Sequence, residues 1–112
     1  MPLFMSRFSY TAESWSDLVK HPEDRTQVVG QMLERHGCHL EHLWYAFGED
    51  DGYAVIEAPD NVTMASLALA ITSSGAMSSF KTSVLMSQED TMKALGRASD
   101  VGYVRPGQAV HA

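Results

Sequence analysis

The sequence predicts one α+β domain of the ferredoxin-like type, with the element order β-α-β-β-α-β followed by a last helix. Its 112 residues, of which 45% are hydrophobic and 20% charged, are typical of a single globular domain. Residues 39–57 show two runs of alternating apolar residues around a turn that contains two glycines, the pattern of a β-hairpin. Segments with helical periodicity lie before and after this hairpin, and each is flanked by a further strand pattern.

The first half of the chain reads as a strand and then a helical layer. The strand is predicted over residues 2–9, where apolar residues are interleaved with small or polar ones. The helical layer covers residues 11–36, with Thr11 as its N-cap. Pro22 is expected to interrupt the layer and to open a second helix at its first position. Gly37 is the expected residue after the end of that helix.

The hairpin consists of strands over residues 39–47 and 53–58, joined by the acidic turn 48–52. The period of two predicts that Tyr53 and Glu57 share a face of the second strand. The same period predicts two faces for the first strand, namely Leu43, Tyr45 and Phe47 on one and Leu40, His42, Trp44 and Ala46 on the other.

The second half of the chain repeats the order of helix and strand. Asp60 or Asn61 is expected to cap the second long helix, since both side chains can accept a hydrogen bond from a free N–H group. A fourth strand is predicted over residues 77–86. Ser87 then begins a capping pattern, which predicts a short helix that ends at about Ala98.

Right-handed crossover connections place the first and third strands in the middle of a four-stranded antiparallel sheet. Both long helices then cover one face of the sheet and leave the other face open. Because the strands carry large apolar residues on both faces, we expect two copies to pack sheet to sheet as a homodimer. The domain is assigned to residues 1–98 and a C-terminal tail to residues 99–112.

Composition excludes several classes of partner. The net charge of −6 disfavours binding to nucleic acid and to anionic membranes, both of which require a basic surface. Cys38 is the only cysteine, so no intrachain disulfide can form, and a cytoplasmic location is expected. Residues 1–10 lack the apolar core of a signal peptide, and no window is long and apolar enough for a membrane helix.

Several segments resemble the GYD domain family. They are the hairpin sequences LEHLWYAFGEDD at 40–51 and VIEAPDN at 55–61, with matching flanks at 22–25 and 68–76. The resemblance covers roughly residues 2–97. It implies a ferredoxin-like fold that forms a dimeric α/β barrel, and it implies no established reaction. Other families on that barrel include cofactor-free monooxygenases, haem-degrading enzymes and small isomerases, which is an analogy of fold alone.

Polar residues set among aromatic ones make the hairpin the candidate site. His42 and Trp44 are predicted to share a face, where a histidine can act as a general base. The alternative is a histidine that bonds a carbonyl group at the sheet edge or in the dimer seam. Glu57 is predicted to be a half-buried carboxylate, either functional or paired with Arg7 on the neighbouring strand. Asp51 belongs to the acidic turn, which is interpreted as solvated rather than as a cation site.

Tyr45 and Tyr53 flank the turn and are predicted to pair across the strands. They can line a pocket for a flat molecule, or they can pack in the core or the dimer seam. The five histidines do not form a ligand pair, since His39 and His42 are three apart in a strand and are predicted to point to opposite faces. No metal and no tightly bound cofactor are therefore expected, with one axial haem histidine left as an open alternative.

Two functional hypotheses follow. In the first, the chain is a cofactor-free enzyme, monooxygenase-like or isomerase-like, for a small hydrophobic or aromatic metabolite bound between sheet and helices. His42, assisted by Glu57 or Asp51, moves a proton, while Trp44 and Tyr45 shape the pocket. In the second, the chain is a non-catalytic module for ligand binding or assembly, and the same side chains only build the dimer.

Overall fold

The computed structural model describes residues 1–108, which form a four-stranded antiparallel sheet with helices on one of its faces. The strands are β1 (Leu3–Tyr10), β2 (His39–Tyr45), β3 (Gly52–Glu57) and β4 (Met77–Leu85), in the spatial order β2-β3-β1-β4. The helices are α1 (Ala12–Lys20), α2 (Arg25–Arg35), α3 (Asn61–Ser73) and α4 (Gln88–Ala98). The element order and the central positions of β1 and β3 confirm the predicted ferredoxin-like architecture.

The predicted C-terminal tail is only partly described. Residues 99–108 form turns and irregular backbone, and residues 109–112 lie outside the described part of the chain. The division of the chain at residue 98 stays a prediction. Within the described residues, no helix combines the length and the apolar character needed to cross a membrane.

Local sequence signals set most of the helix ends. Thr11, Asp60 and Ser87 each accept a hydrogen bond from the backbone N–H three residues later, which confirms the three predicted caps. Gly37 follows α2 with φ of +72°, a conformation that glycine adopts without steric cost, so its predicted role is confirmed as well.

The predicted interruption of the helical layer at Pro22 is confirmed, but the prediction that Pro22 opens the second helix is wrong. Helix α2 begins at Arg25, and Asp24 is its N-cap, with its carboxylate accepting a hydrogen bond from the backbone N–H of Thr26. A helix that began at Pro22 would have His21 as its N-cap, which is not a residue preferred at that position, whereas Asp24 accepts a hydrogen bond from a free N–H of the first turn. Residues 21–24 therefore connect α1 to α2.

The core lies between the sheet and the helices. Leu33 of α2, which is fully buried, packs with Phe4 of β1 and Ile56 of β3. The buried cluster consists of Phe4, Leu33, Cys38, Ala54, Ile56, Ala58, Met64 and Leu67. Burial is the largest cause that raises the pKa of the Cys38 thiol, followed by the negative charges of Asp60 and Glu34.

Strand β2 contains a bulge. Leu40 lies opposite Ile56 of β3, and His42 lies opposite Val55, so Glu41 has no partner on β3. An extra residue of this kind reverses the alternation of side chains along the strand that carries it. The two sides of the bulge therefore have to be assigned to faces separately.

The bulge overturns two predicted side-chain orientations. Leu40 packs against the core while His42 faces away from the helices, so these two residues do not share a face. His39 and His42 lie opposite Glu57 and Val55, which places both histidines on the same side of the sheet. A prediction from the alternation of apolar residues misses the change of face at the bulge, because it assumes an unbroken period of two along the strand.

The face of the sheet opposite the helices, here called the open face, carries a mixture of apolar and charged side chains. Trp44 is 56% exposed, and Leu3 and Leu85 at the end of the sheet are 39% and 38% exposed. By strand register, the residues of the open face are Leu3, Met5, Arg7, His39, His42, Trp44, Tyr53, Val55, Glu57, Lys81, Ser83 and Leu85.

Candidate functional site

The structure distributes the predicted site residues over both faces of the sheet. His42, Trp44, Tyr53, Glu57 and Arg7 lie on the open face. The residues on the helix side are Tyr45 and Asp51, both next to the end of β1. The enzyme hypothesis requires one pocket between sheet and helices, and the strand register does not bring these side chains into one.

On the open face, His42 and Trp44 stack their rings. The ring centroids are 4.4 Å apart, and the planes are inclined by 12°. Both side chains are exposed, and neither lines either of the two cavities described below. A stacked imidazole and indole on an uncovered sheet surface form an exposed aromatic patch that is suited to packing against another surface, not an enclosed reaction site.

The predicted ion pair between Arg7 and Glu57 is wrong. Arg7 lies opposite Tyr53 in the sheet, whereas Glu57 lies opposite Leu3, four residues along β1. Four residues of strand correspond to about 13 Å, too far for an ion pair. Glu57 instead lies 3.8 Å from the N-terminal amine of Met1.

The predicted pairing of Tyr45 with Tyr53 is also wrong. Tyr45 lies opposite Gly52, and the partner of Tyr53 is Trp44. Strand β2 ends at Tyr45, two residues before the predicted end. The two tyrosines therefore project from opposite faces of the sheet.

Asp51 connects the hairpin turn to β1 and α1. Its Oδ2 accepts hydrogen bonds from the backbone N–H of Tyr10 and from the indole Nε1–H of Trp15, each at 3.0 Å. Its own backbone N–H donates to the carbonyl oxygen of Phe8 at 2.9 Å. Because this carboxylate is held on the helix side, it is not available to His42, and the predicted assistance of His42 by Asp51 is wrong.

Four aromatic rings gather around this carboxylate and are called the aromatic cluster: Phe8, Tyr10, Trp15 and Tyr45. The Tyr10 ring meets the Trp15 ring edge to face at 5.0 Å, and Tyr45 lies 5.9 Å from Trp15. Phe8 lies 5.3 Å from Tyr10. Edge-to-face contacts of this kind fix the ring orientations in addition to burying apolar surface.

Two phenol groups of the aromatic cluster are hydrogen-bonded to each other. The hydroxyl oxygens of Tyr10 and Tyr45 are 3.1 Å apart. One O–H is used in this bond, so the other remains free to donate to a ligand. Burial and then the hydrogen bond with Tyr10 raise the pKa of Tyr45 well above its ordinary value. Tyr45 is therefore a neutral hydrogen-bond donor throughout the physiological pH range.

A cavity of about 260 Å³ adjoins the aromatic cluster. It lies where α1, the connection from α1 to α2 and the residue before β4 meet Tyr10. Its lining residues include Tyr10, Leu18, His21, Glu23, Arg25 and Ala76. The guanidinium of Arg25 lies 3.2 Å from the carboxylate of Glu23, so this cation is already paired at the rim.

A second cavity of about 530 Å³ is a shallow depression between α2 and the start of β2. Its residues include Gln31, Glu34 and His39, with His39 Nδ1 2.8 Å from the Glu34 carboxylate. This hydrogen bond is the largest cause that raises the pKa of His39. The depression has no aromatic wall, so it offers a planar ligand much less than the smaller cavity.

Sequence reasoning missed Tyr10, Trp15 and Arg25 as site residues. Trp15 falls at i, i+3 and i+4 with Leu18 and Val19, so its spacing predicts a place on one helix face but no role for its indole N–H group. One signal was available, because a buried indole N–H requires an acceptor and the hairpin turn supplies carboxylates. Which carboxylate accepts depends on how the turn folds over the end of β1, and the sequence does not specify that.

The described residues contain no group of three or more His, Cys, Asp or Glu side chains that could hold a metal ion. Open-face residues His39 and His42 therefore do not combine with Glu57 into such a group. The expectation that the protein uses no metal and no tightly bound cofactor stays a prediction.

Comparisons with known proteins place the fold and the family. No match was found among curated proteins. Among solved structures, the chain is similar to the crystal structure of MtbAldR, a Mycobacterium protein, with a TM-score of 0.57 and 12% sequence identity. That likeness covers 96% of this chain and 59% of MtbAldR, and at this identity it concerns the fold alone. The model of the GYD domain matches residues 4–95, so the chain belongs to the GYD domain family.

Proposed function

We propose that this protein is a homodimeric binding protein for a small aromatic molecule, with its ligand site at the aromatic cluster and the adjoining cavity. The observation that carries the proposal is the pair of hydrogen-bonded phenols, in which Tyr10 lines the cavity and Tyr45 bonds to the Tyr10 hydroxyl. Asp51 holds Trp15 and the Tyr10 backbone in place, so the site is organised before a ligand arrives.

The dimensions and the lining indicate the class of ligand. A volume of about 260 Å³ is just below the ~300–1,000 Å³ typical of ligand pockets, which suits a single ring better than a larger molecule. Tyr10, which is the ring of the aromatic cluster that lines the cavity, favours a flat apolar body. The free phenol O–H favours an acceptor oxygen on that body, such as a carbonyl or carboxylate group.

A cofactor-free enzyme, monooxygenase-like or isomerase-like, is the second candidate. The specific observation in its favour is the hydrogen bond between the Tyr10 and Tyr45 hydroxyls, which leaves one phenol O–H free to donate beside the cavity that Tyr10 lines. Such a donor stabilises negative charge that develops on a substrate oxygen during proton abstraction. The base would come from the cavity lining, where His21 and Asp17 are the candidates besides Glu23, which is paired with Arg25.

The open-face residues have a different role in this proposal. His42, Trp44, Tyr53, Glu57 and Arg7 form the seam of a sheet-to-sheet dimer, as expected for an apolar sheet surface. This assigns them to assembly rather than to proton transfer. The single cysteine, which is a buried free thiol, favours a reducing compartment such as the cytoplasm as the location of this dimer.

The ligand proposal is tested by nuclear magnetic resonance titration with benzoate, benzaldehyde and acetophenone, and with cyclohexanecarboxylate as the non-aromatic comparison. We expect the aromatic probes to shift the indole N–H signal of Trp15, which is bonded to Asp51. Tyr10→Phe and Tyr45→Phe each remove one hydroxyl, so each should weaken binding about tenfold, in line with the loss of one hydrogen bond.

Tyr103→Phe is the matched control, because Tyr103 is 77% exposed and lies in the C-terminal tail. This variant should bind every probe as the wild type does. The proposal fails if the aromatic probes shift only open-face signals such as the Trp44 indole, or if they shift no signal. Turnover of a bound carbonyl probe, followed by its absorbance, would favour the enzyme candidate over simple binding.

A further inference from the structure

The end of the chain projects away from the rest of the molecule. Residues 86–108, here called the arm, contain α4 and the irregular backbone after it. The molecule measures 68 × 30 × 23 Å and has a radius of gyration of 18.8 Å. A compact domain of this length has a radius of gyration of about 13 Å. The long dimension reflects a sheet-and-helix layer that is continued by an extended arm.

The arm makes only local polar interactions. Its hydrogen bonds connect Thr91 with Ser87 and Ser99 with Gly96, and its ion pair connects Lys93 with Glu89. Within residues 1–108, no hydrogen bond or ion pair joins the arm to the preceding part of the chain. An 11-residue helix with a glycine in its interior is marginal in water without packing. The sequence of α4 therefore requires a partner surface.

One face of α4 is suited to packing. Met92 and Leu95 are 64% and 60% exposed and lie one turn apart, with Ala94 and Ala98 beside them. The opposite face holds all the charged residues of the helix, namely Glu89, Asp90, Lys93 and Arg97. This is the amphipathic pattern of a helix that covers an apolar surface.

Helix α3 presents such a surface. None of its 13 residues is charged, although a helix on the outside of a domain usually carries charges on its outer face. Met64 and Leu67 point into the core, while Val62 and Leu69 on the outer face are 76% and 70% exposed. Val62 and Leu69 are two turns apart and lie on the same side of the helix.

The exposed area is large enough for a stable contact with a second copy. The chain exposes 8106 Å², whereas a compact monomer of 12.3 kDa exposes about 6,100 Å². The excess of about 2,000 Å² is larger than the ~800 Å² that each partner contributes to a standard interface. Each chain carries both halves of the contact, an unpaired amphipathic helix and an uncharged helix face, so the contact is self-complementary.

We propose that α4 of one chain packs on the outer face of α3 of a second copy, with Met92 and Leu95 against Val62 and Leu69. This contact is independent of the ligand site, and it adds a second interface to the sheet-to-sheet seam. It gives the arm its partner and covers the exposed apolar face of α3.

Disulfide trapping between full-length chains tests this contact. One chain carries Leu95→Cys, and the other carries Leu69→Cys and is enriched in heavy isotopes. The native Cys38 can stay, because it is 1% exposed and does not react in the folded chain. Mild oxidation of the mixture should give a covalent dimer of mixed isotopic mass, at least fivefold faster than a mixture of Leu95→Cys with Val19→Cys. Val19 is the control because it is 77% exposed on α1.

Two results would overturn the proposal. The first is a mixed dimer that forms no faster with Leu69→Cys than with Val19→Cys. The second is a chain carrying both Leu69→Cys and Leu95→Cys that closes a disulfide within itself at high dilution, since the arm would then fold back on its own α3. A double-cysteine chain that forms only intermolecular disulfides supports the proposal.

Discussion

Asp51 carries more of the local structure than any other polar side chain of the site. One of its oxygens accepts from both the Tyr10 backbone and the Trp15 indole, so a single carboxylate joins the turn, β1 and α1. Removing an acceptor leaves half-buried N–H groups without a partner, which costs more than the hydrogen bond itself contributes. This residue therefore has a structural function, and its effect on ligand binding comes through the rings that it positions.

Asp51→Ala should lower the free energy of unfolding by about 1–3 kcal/mol, because it strands the N–H groups of Trp15 and Tyr10. Chemical denaturation measures this change. Asp51→Asn, which keeps an acceptor oxygen, should lose less. Glu49→Ala in the same turn is the control, since Glu49 is exposed, and it should stay within about 0.5 kcal/mol of the wild type. Equal losses for the Asp51→Ala and Glu49→Ala variants would mean that the indole contact contributes nothing.

At the scale of elements, the predictability of the fold differs from that of the site. Caps and strand order follow from local signals, such as Thr11 and Ser87 at helix starts, and from the handedness of crossovers. The orientation of the side chains in β2 does not follow from local signals, because the bulge at Glu41 depends on pairing with β3. The aromatic cluster was missed for a related reason, since its members come from β1, α1 and β2 and meet only in the folded chain.

Gly52 shows how closely β1 and β3 approach. A Cβ atom built there would lie 2.8 Å from Cε2 of Phe8 and closer still to Cζ, and Phe8 is 3% exposed with no room to move. Gly52→Ala should therefore destabilise the domain by about 1–3 kcal/mol, as overpacking usually does. Gly48→Ala is the matched control, because no atom lies within 4 Å of its Cβ. A thermal midpoint for Gly52→Ala equal to that of Gly48→Ala would contradict the tight contact.

At the scale of the whole molecule, the sheet leaves uncovered a face of mixed apolar and charged side chains, and α4 of the arm is unpacked. These two features call for two different interfaces, and a measurement of mass alone would not separate them. The substitution Leu95→Glu removes the apolar contact of α4 while leaving the open face intact. It therefore provides the background in which the sheet-to-sheet seam can be measured by itself.

In the Leu95→Glu background, sedimentation at micromolar concentration should give twice the chain mass of 12.3 kDa. Adding Val55→Glu at the centre of the open face should reduce the mass to 12.3 kDa, because a buried unpaired carboxylate is costly in an apolar seam. Adding Val19→Glu on α1 should leave the dimer unchanged, since that side chain is 77% exposed. A mass of 12.3 kDa for Leu95→Glu alone would exclude the sheet-to-sheet dimer.

The buried thiol of Cys38 has a further consequence. Thiolate rather than thiol attacks disulfides and alkylating reagents, and both burial and the raised pKa of Cys38 suppress the thiolate. Any modification of this residue must therefore pass through a state in which the segment between α2 and β2 has opened. The rate at which a thiol reagent labels Cys38 therefore measures how often this segment opens. Binding of a ligand or a partner that makes the opening rarer will slow the labelling of this sulfur.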